Sequence, residues 1–453
     1  MGGRRETSAA ATHSPKLPVE NHGHNQKMKI LVIGNGGREH ALLWKLRADA
    51  PDAELFVARG NGGMSALATC LPLDPTDAPA IAAWADGNNV DLTIVGPEAA
   101  LDAGIVDLFD RRGRAIFGPT KAAAAIESSK AYAKQLMQRA GVPTAAFKSF
   151  TEFDEAEAYI RSHENALVVK ASGLAAGKGA VVCDATEEAV ATARAMLEQK
   201  TFGAAGNEIV VEERVQGEEL SILAITDGTD VVPLMPAQDH KRIGEGDTGA
   251  NTGGMGVYAP VSIGTAELVE RVRRDIFMPT LAALRGDNRT FRGLLYAGIM
   301  LTDRGPLVIE FNARFGDPET EVVLPLLQSS LLELVYEVAR GGSIAGASVR
   351  MSTGAALTTV LAARGYPDAP ETGKPITIPD WVDDSHDVLL FHAGTKLVDD
   401  QLVTNGGRVF AVTGRGETLS EAADRSRRAA DAIQFDGKYF RRDIGYLEMR
   451  RNA

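Results

Sequence analysis

The sequence predicts a multidomain protein of mixed α/β and α+β class, and three observations support this fold class. Its 453 residues suffice for roughly three domains. The first part of the chain alternates aliphatic runs with helical patterns, and glycine-rich turns end the runs, which is typical of a parallel α/β domain. The following part mixes short strands and helices around glycine-rich loops, which is typical of an α+β unit.

The predicted elements follow in order. In the first domain we expect strands at residues 29–33, 55–58, 91–95 and 116–117, with a helix over 39–48. The remaining predicted elements are a helix over 127–141, strands at 166–170 and 180–183, a helix over 187–199, a strand at 208–213, a loop over 237–258, a helix over 266–285, a hairpin of 294–302 and 307–311, a helix over 319–340, and a last helix begun by the capping box Thr418-x-x-Glu421.

These elements group into four segments. We expect a polar, disordered extension over residues 1–27, a Rossmann-like α/β substrate-binding domain over 28–125, a central domain over 126–350 with a mobile lid at about 150–213, and a small mixed domain over 351–453.

Composition excludes several classes of protein. The chain carries 48 basic and 60 acidic side chains, a net charge of −12, and so lacks the basic excess of a nucleic-acid binder. A hydrophobic content of 44% excludes general disorder. No apolar run reaches the roughly 18–20 residues of a membrane helix. Cys70 and Cys183 cannot form a disulfide framework, which favours reduced thiols in the cytoplasm.

The first glycine-rich turn, residues 34–39, follows the first strand and begins a helix. A dinucleotide-binding fingerprint would need a glycine where Glu39 stands and an acidic end to the second strand, so the sequence disfavours NAD. Backbone N–H groups at this helix start, with Arg38 beside them, favour an anion. A plain tight turn is the alternative.

A second glycine-rich segment, residues 173–179, is not a Walker A loop, because its glycine spacing is too short and Gly179 replaces the Ser or Thr that holds Mg²⁺. Apolar runs on both sides place it at a hairpin tip, the ATP-grasp arrangement over a triphosphate. Lys170 would then point at the phosphates. In the same interpretation, the backbone at Glu213–Val215 contacts adenine, and Glu219 accepts hydrogen bonds from the ribose hydroxyls. The alternative interpretation of these residues is a solvated acidic turn.

Residues 310–319 are the most informative stretch. Glu310 and Asn312 are two apart on a predicted strand and share a face. A carboxylate and an amide oxygen suit Mg²⁺ shared with substrate phosphates. Arg314 can neutralise a transferring phosphoryl group. An ordinary salt-bridged strand end is the alternative. The glycine-rich loop over 237–258, which begins near Asp239, favours a closing substrate loop.

Taken together, these stretches resemble the phosphoribosylamine–glycine ligase family from residue 28 to about residue 445. The matching strings are VIGNGGREHAL, TIVGPE, IFGPT, SSKAYAK, GLAAGKG, AQDHKR, DTGANTGGMG, LYAGIM, IEFNARFGDPE, FHAGTK and TNGGRV.

The resemblance implies an ATP-grasp fold and the ATP-dependent joining of glycine to 5-phosphoribosylamine in purine biosynthesis, with Mg²⁺ or Mn²⁺ as the metal. The implied ATP contacts are Lys130, Lys170, Gly177, Lys178, Gly179, Glu212, Glu213, Val215 and Glu219. The implied metal ligands are Glu310 and Asn312. The implied substrate contacts are Asn35, Gly36, Gly37, Arg38, Pro97, Glu98, Asp239, Arg314 and Asp317. The implied catalytic residues are Lys170, Arg314 and Asp317.

The chain departs from the family pattern at two points. Ser172 stands where the family has Asp, and the strand predicted at 294–302 offers no carboxylate for a second Mg²⁺. Two alternatives remain: another ATP-grasp carboxylate–amine ligase, such as a purine-pathway carboxylase or a D-alanine ligase, and a non-catalytic nucleotide-binding regulator. The expected protein is a monomer that binds small substrates and neither nucleic acid nor membrane.

Overall fold

The computed structural model describes residues 27–175 and 178–451. The predicted extension therefore lies outside the described residues except for its last residue, and Gly177 of the predicted lid loop lies outside them as well. Within the two described ranges, no helix is both long and apolar enough to cross a membrane.

The first domain is a five-stranded parallel sheet with helices packed against it. Its elements are β1 (Lys29–Gly34), α1 (Gly37–Asp49), β2 (Glu54–Arg59), β3 (Thr69–Leu71), α2 (Ala78–Gly87), β4 (Leu92–Val95), α3 (Glu98–Asp102), α4 (Ile105–Arg111), β5 (Ile116–Phe117) and α5 (Lys121–Ser128). The strand order is β3-β2-β1-β4-β5, so the direction of chain progression reverses between β1 and β4. Ligands of such sheets bind at this switch point, outside the strands' carboxyl ends.

The segment predicted to be a lid, called the lid below, contains a four-stranded antiparallel sheet that is preceded by one helix and covered by two others. Its elements are α6 (Lys130–Ala140), β6 (Phe147–Phe150), α7 (Phe153–Arg161), β7 (Leu167–Ala171), β8 (Ala180–Cys183), α8 (Thr186–Leu197) and β9 (Ile209–Glu213). The sheet order is β6-β9-β7-β8, and its core, from Phe150 to Val211, is separate from the other hydrophobic clusters. The prediction of one helix over 127–141 is wrong, because Ser129 interrupts it and caps α6 by accepting a hydrogen bond from the Tyr132 amide.

The central segment builds the sheet that faces the lid. Its elements are β10 (Glu218–Thr226), β11 (Val231–Pro233), β12 (Gln238–Asp239), β13 (Arg242–Gly244), β14 (Thr248–Asn251), β15 (Gly256–Ala259), α9 (Ala266–Val272), a π-helical turn (Arg273–Phe277), α10 (Met278–Gly286), β16 (Gly293–Thr302), β17 (Gly305–Asn312), α11 (Thr320–Leu326) and α12 (Leu331–Ala339). The central sheet has the order β11-β10-β16-β17.

Two predictions for this segment are wrong. The predicted loop over 237–258 contains strands β12 to β14 and most of β15; β12 to β14 are short and polar or glycine-rich, and β15 is only four residues long, so none shows the alternation expected of a strand. The predicted helix over 319–340 is two helices, since Pro325 stands at the end of α11 and cannot continue the backbone hydrogen bonding.

The last segment completes a sheet that the central segment begins. Its elements are β18 (Ala355–Ala362), α13 (Asp380–Asp383), β19 (Val388–His392), β20 (Thr395–Val398), β21 (Gln401–Thr404), β22 (Arg408–Gly416), α14 (Leu419–Ala432) and α15 (Tyr446–Arg451). The order β12-β15-β18-β22-β19 joins strands from both sides of residue 350. The predicted cap of α14 is confirmed, since Thr418 Oγ1 accepts a 3.2 Å hydrogen bond from the Glu421 amide.

Candidate active site

A bulge in β17 connects the central sheet to the lid. The register between β16 and β17 shifts after Gly298, which leaves Ile309 without a cross-strand partner. The carbonyl of Ile309 accepts a 3.2 Å hydrogen bond from Lys170 Nζ, at the end of β7. The extra residue changes the direction of the strand beyond it, where the predicted metal ligands lie.

Glu310 and Asn312 end β17 on one face, as the sequence predicts. Burial alone would raise the pKa of the Glu310 carboxyl, but three nearby lysines and Arg314 outweigh burial and lower the pKa. An ionised carboxylate beside an amide oxygen fits Mg²⁺. Over the two described ranges, no group of three or more His, Cys, Asp or Glu side chains could hold a metal without other ligands.

Lys241 lies among the carboxylates of this face. Its Nζ donates a hydrogen bond to Glu219 Oε1 and is 4.0 Å from Glu310 Oε1. Burial raises the pKa of the nearby Asp239 carboxyl to about 8, although Lys241 acts to lower it. Glu319 completes the group, and its Oε1 accepts a 2.7 Å hydrogen bond from the Tyr296 hydroxyl.

Arg314 is held between the two halves of the site. Its Nε lies 3.5 Å from Glu98 Oε2, at the switch point of the parallel sheet, and its Nη2 lies 3.3 Å from Glu127 Oε1. The same Nη2 donates a 3.3 Å hydrogen bond to Asn312 Oδ1. Burial would raise the pKa of the Glu98 carboxyl, but Arg314 and Arg38 outweigh burial and lower the pKa. These contacts bring the predicted substrate residues of the first domain to the end of β17.

The glycine-rich turn after β1 lies beside Asp317. The Gly36 amide donates a 2.6 Å hydrogen bond to Glu39 Oε2, which fixes the start of α1. A Cβ added at Gly36 would lie 3.3 Å from Asp317 Oδ2, so glycine allows this close approach. Asp317 also forms a 3.0 Å salt bridge with Arg408, which comes from β22. Residues from the first, central and last segments therefore meet at this turn.

The remaining predicted substrate residues lie around the same turn. The Asn35 carbonyl accepts a 3.0 Å hydrogen bond from Asn61 Nδ2. The guanidinium of Arg38 donates to the Phe315 carbonyl at 3.0 Å. Pro97 immediately precedes α3, and Glu98, the first residue of that helix, contacts Arg314.

Lys170 shares a buried carboxylate with a second lysine. Glu212 Oε2 lies 3.0 Å from Lys170 Nζ and 2.9 Å from Lys134 Nζ. An open cleft of about 580 Å³ begins at the next residue along the chain, and residues 213–217 and 301–304 line it. The predicted adenine contacts Glu213 and Val215 thus line a cleft where the chain passes from β9 to β10.

The predicted ATP contacts in and beside the glycine-rich loop lie in two places. Lys130 Nζ donates a 3.4 Å hydrogen bond to the Gly173 carbonyl, at the base of the loop. Lys178 extends away from this base, and its Nζ donates a 2.8 Å hydrogen bond to the Pro367 carbonyl in the last segment. Gly179 follows Lys178, and its carbonyl accepts a 2.8 Å hydrogen bond from the Ala171 amide. Lys178 as an ATP contact remains a prediction.

Four side chains at the site are absent from the sequence predictions: Glu127, Lys134, Lys241 and Glu319. Lys134 and Lys241 lie within the family strings SSKAYAK and AQDHKR, so those strings carried a signal. No spacing rule separates these lysines from surface lysines, because their carboxylate partners are distant in sequence.

Fold and site together define an ATP-grasp ligase: a hairpin lid faces a central sheet that ends in a carboxylate–amide pair and an arginine. More specifically, the chain belongs to the phosphoribosylglycinamide synthetase family. The N domain of this family matches residues 28–127, its ATP-grasp domain matches 128–320, and its C domain matches 356–447.

Individual relatives agree with this membership. The phosphoribosylamine–glycine ligase of Chlorobaculum tepidum is 46% identical over 422 residues, covering 92% of this chain and 99% of that protein. The phosphoribosylamine–glycine ligase of Halalkalibacterium halodurans is 46% identical over 426 residues, covering 94% of this chain and 98% of that protein.

Solved structures give the same result. The phosphoribosylamine–glycine ligase of Thermotoga maritima has a TM-score of 0.81 at 34% identity, covering 92% of this chain and all of that one. Biotin carboxylase from Campylobacter jejuni, with a TM-score of 0.71 at 16% identity and coverage of 94% and 95%, shares the fold. The predicted family and fold class are confirmed, and neither alternative is favoured.

Proposed function

We propose that this protein uses ATP to join glycine to 5-phosphoribosylamine, giving glycinamide ribonucleotide, ADP and phosphate, in purine biosynthesis. The observation that carries the proposal is the family match along residues 28–447, to relatives named for this ligation. The arrangement of Glu310, Asn312, Arg314 and Lys170 supports phosphoryl transfer at the end of β17.

The proposed chemistry needs no protein nucleophile. The glycine carboxylate attacks the γ-phosphate of ATP and ADP leaves, which forms glycyl phosphate. The amine of 5-phosphoribosylamine then attacks the glycyl carbonyl, loses a proton and displaces phosphate. The protein contributes position and charge, and Lys170 and Arg314 lie where they can neutralise the transferring group.

Glu310 and Asn312 would hold one Mg²⁺ in this scheme, since an ionised carboxylate and an amide oxygen suit that ion. Bound there, Mg²⁺ would neutralise charge on the phosphates. The described part of β16 carries no carboxylate to support a second ion. We expect Mn²⁺ to substitute.

The first domain would bind the phosphoribosylamine. Glu98 and Asp317 come from two segments and both act on the charge of Arg38, and both are carboxylates suited to an amine and to ribose hydroxyls. The lid would exclude water from glycyl phosphate, which hydrolyses readily. We also infer a cytoplasmic monomer; the two free cysteines support a reducing compartment, and sedimentation would test the oligomeric state.

The test is ADP release by the purified protein with ATP, Mg²⁺, glycine and 5-phosphoribosylamine generated from ribose 5-phosphate and ammonia. We expect turnover only when every component is present, with glycinamide ribonucleotide identified by its mass. Turnover supported by a different carboxylate or amine would confirm that the protein is a ligase and would show that its substrate differs from the proposed one. Absence of turnover despite ATP binding would overturn the proposal.

A further inference from the structure

Lys134 is a buried lysine that the proposed chemistry leaves without a role. It lies on α6 and is 2% exposed. Its Nζ is 2.9 Å from Glu212 Oε2, and Lys170 Nζ is 3.0 Å from the same oxygen. One carboxylate oxygen on β9 is therefore shared by two ammonium groups, from α6 and from β7.

Lys134 also forms a hydrogen bond with a second side chain. Its Nζ donates a 2.7 Å hydrogen bond to Thr144 Oγ1, and that hydroxyl donates a 2.7 Å hydrogen bond to the Val308 carbonyl on β17. Lys170 has a different second contact, the carbonyl of the bulged Ile309. The two lysines thus have different second hydrogen-bond partners. Lys134 bonds to a threonine side chain that is itself bonded to the central sheet, whereas Lys170 lies at the end of a lid strand.

Glu212 cannot lose both cations without a large cost. It is 3% exposed, and within the described residues its Oε1 has no hydrogen-bond partner. A buried carboxylate that loses its only cation is strongly destabilised. If Lys134 were absent, Glu212 would hold Lys170 as its single counterion and oppose any movement of Lys170 toward a ligand.

We propose that Lys134 is a positioning residue that keeps Glu212 paired, so that Lys170 can leave this carboxylate and contact the phosphates of ATP. This inference rests on the proposed function, since it assumes that Lys170 binds ATP. Lys134 itself touches neither nucleotide nor glycine. Its effect on ATP is transmitted through Glu212.

The protonation of Lys134 gives this role a measurable signature. Burial lowers the pKa of the Lys134 ammonium to about 8, although Glu212 acts to raise it. The other charged groups that face it are Lys170 on β7, which lowers the pKa, and Glu310 on β17, which raises it. Above pH 8 the amine becomes neutral, Glu212 depends on Lys170 alone, and affinity for ATP should fall.

The experiment measures the Kd of a non-hydrolysable ATP analogue with Mg²⁺ by calorimetry at pH 7, 8 and 9. The proteins are the wild type, Lys134→Met, Lys134→Arg and the control Lys45→Met. Lys45 is also a buried lysine, paired with Asp49 at 2.5 Å on α1, so its loss reproduces the general cost of removing such a group. Melting temperatures establish that each variant is folded.

At pH 7 we expect Lys134→Met to bind the analogue about tenfold more weakly than the wild type. The wild-type Kd should approach the Lys134→Met value as the pH rises to 9, whereas Lys134→Arg should retain tight binding over that range. Asp239 titrates in the same range in all four proteins, so the difference between variants isolates Lys134. Lys45→Met should follow the wild type.

Two results would overturn the inference: equal affinity of wild type and Lys134→Met at pH 7, or parallel pH curves for these two proteins. Because the readout is nucleotide binding, it does not depend on which carboxylate and amine are joined. A wild type that binds ATP without making glycinamide ribonucleotide would contradict the proposed function and leave the Lys134 result interpretable.

Discussion

At the residue scale, carboxylates with opposite pKa shifts lie side by side. Nearby cations lower the pKa of Glu310, whereas burial raises the pKa of Asp239 to about 8. Neighbouring acids whose pKa values are separated by their surroundings can take different roles. The ionised Glu310 is suited to a cation, and a protonated Asp239 can donate a hydrogen bond.

Replacing Glu310 by Gln should lower kcat/KM at least about 100-fold, the loss typical when an electrostatic contact to the transition state is removed. The amide is isosteric but carries no charge for Mg²⁺. Steady-state ADP release measures the effect, with melting temperature as the test of folding. Glu187→Gln, at an exposed lid carboxylate, is the matched control and should leave turnover unchanged. Near-normal turnover of the Glu310→Gln variant would show that Glu310 is not a metal ligand.

Replacing Asp239 by Asn should stabilise the protein at neutral and alkaline pH. The folded-state pKa of about 8 lies above the usual value near 3.9, so the stability associated with this group falls as the pH rises between these values. Because Asn does not ionise, the Tm at pH 8 should exceed that of the wild type by about 2 °C or more. The gain should vanish toward pH 4.

Asp74→Asn provides the control for this pH dependence. Hydrogen bonds from Thr76 lower the pKa of the Asp74 carboxyl, so this substitution should give no stabilisation at pH 8. A Tm for Asp239→Asn that stays at or below the wild-type value at pH 8 would contradict the raised pKa.

At the element scale, the β13–β14 hairpin is held by the end of the chain. Arg441 is fully buried, and its guanidinium contacts Asp247 at 2.7 Å and Asp443 at 2.8 Å. The Tyr439 hydroxyl donates a 2.8 Å hydrogen bond to the Ile243 carbonyl. These contacts fix a segment whose sequence favoured a mobile loop, and the segment follows directly after Lys241.

Arg441→Ala should therefore destabilise the protein by about 1.5–3 kcal/mol, the scale of hydrogen bonds to charged groups, because Asp247 and Asp443 lose this cation but remain partly exposed to water. The neighbouring Arg442→Ala is the control: Arg442 is mostly exposed and pairs with Asp431, so its loss should leave the free energy of unfolding close to the wild-type value. Urea unfolding gives both values, and hydrogen exchange should show opening of residues 242–251 in Arg441→Ala alone. Equal stability of the two variants would contradict the buried role.

How much could be predicted from the sequence depended on which interactions form each element. The strands β1, β2, β4 and β5 are mostly buried apolar runs, so local sequence predicted them. The strands β12 to β14 are short and polar or rich in glycine, so tertiary pairing determines them, and the apolar β15 is only four residues long. The pair Glu310 and Asn312 was predictable from its spacing, whereas Lys134 and Lys241 depend on carboxylates distant in sequence.

At the scale of the whole molecule, the central and last segments share one sheet while the lid has its own core. Truncation after residue 350 removes β18, which pairs with β15, and exposes the fully buried Val257 and Tyr258. We expect this truncated chain to be insoluble or unfolded, as judged by soluble yield and circular dichroism. A folded, ATP-binding truncation product would contradict the shared sheet.

Lid excision is the matched comparison. Phe147 pairs with Glu212, so the two ends of the lid are adjacent and a short glycine linker can replace residues 147–213. The remaining protein should fold, because the excised core contributes to no other hydrophobic cluster, and it should lose ATP affinity.

The shared sheet also has a consequence for synthesis on the ribosome. About 100 residues separate the end of β15 from the start of β18, and at 5–20 residues per second they take roughly 5–20 s to translate. Throughout that interval one edge of β15 has no strand beside it. An unpaired edge can pair with other chains. A nascent chain that stalls within this stretch would therefore be prone to aggregation.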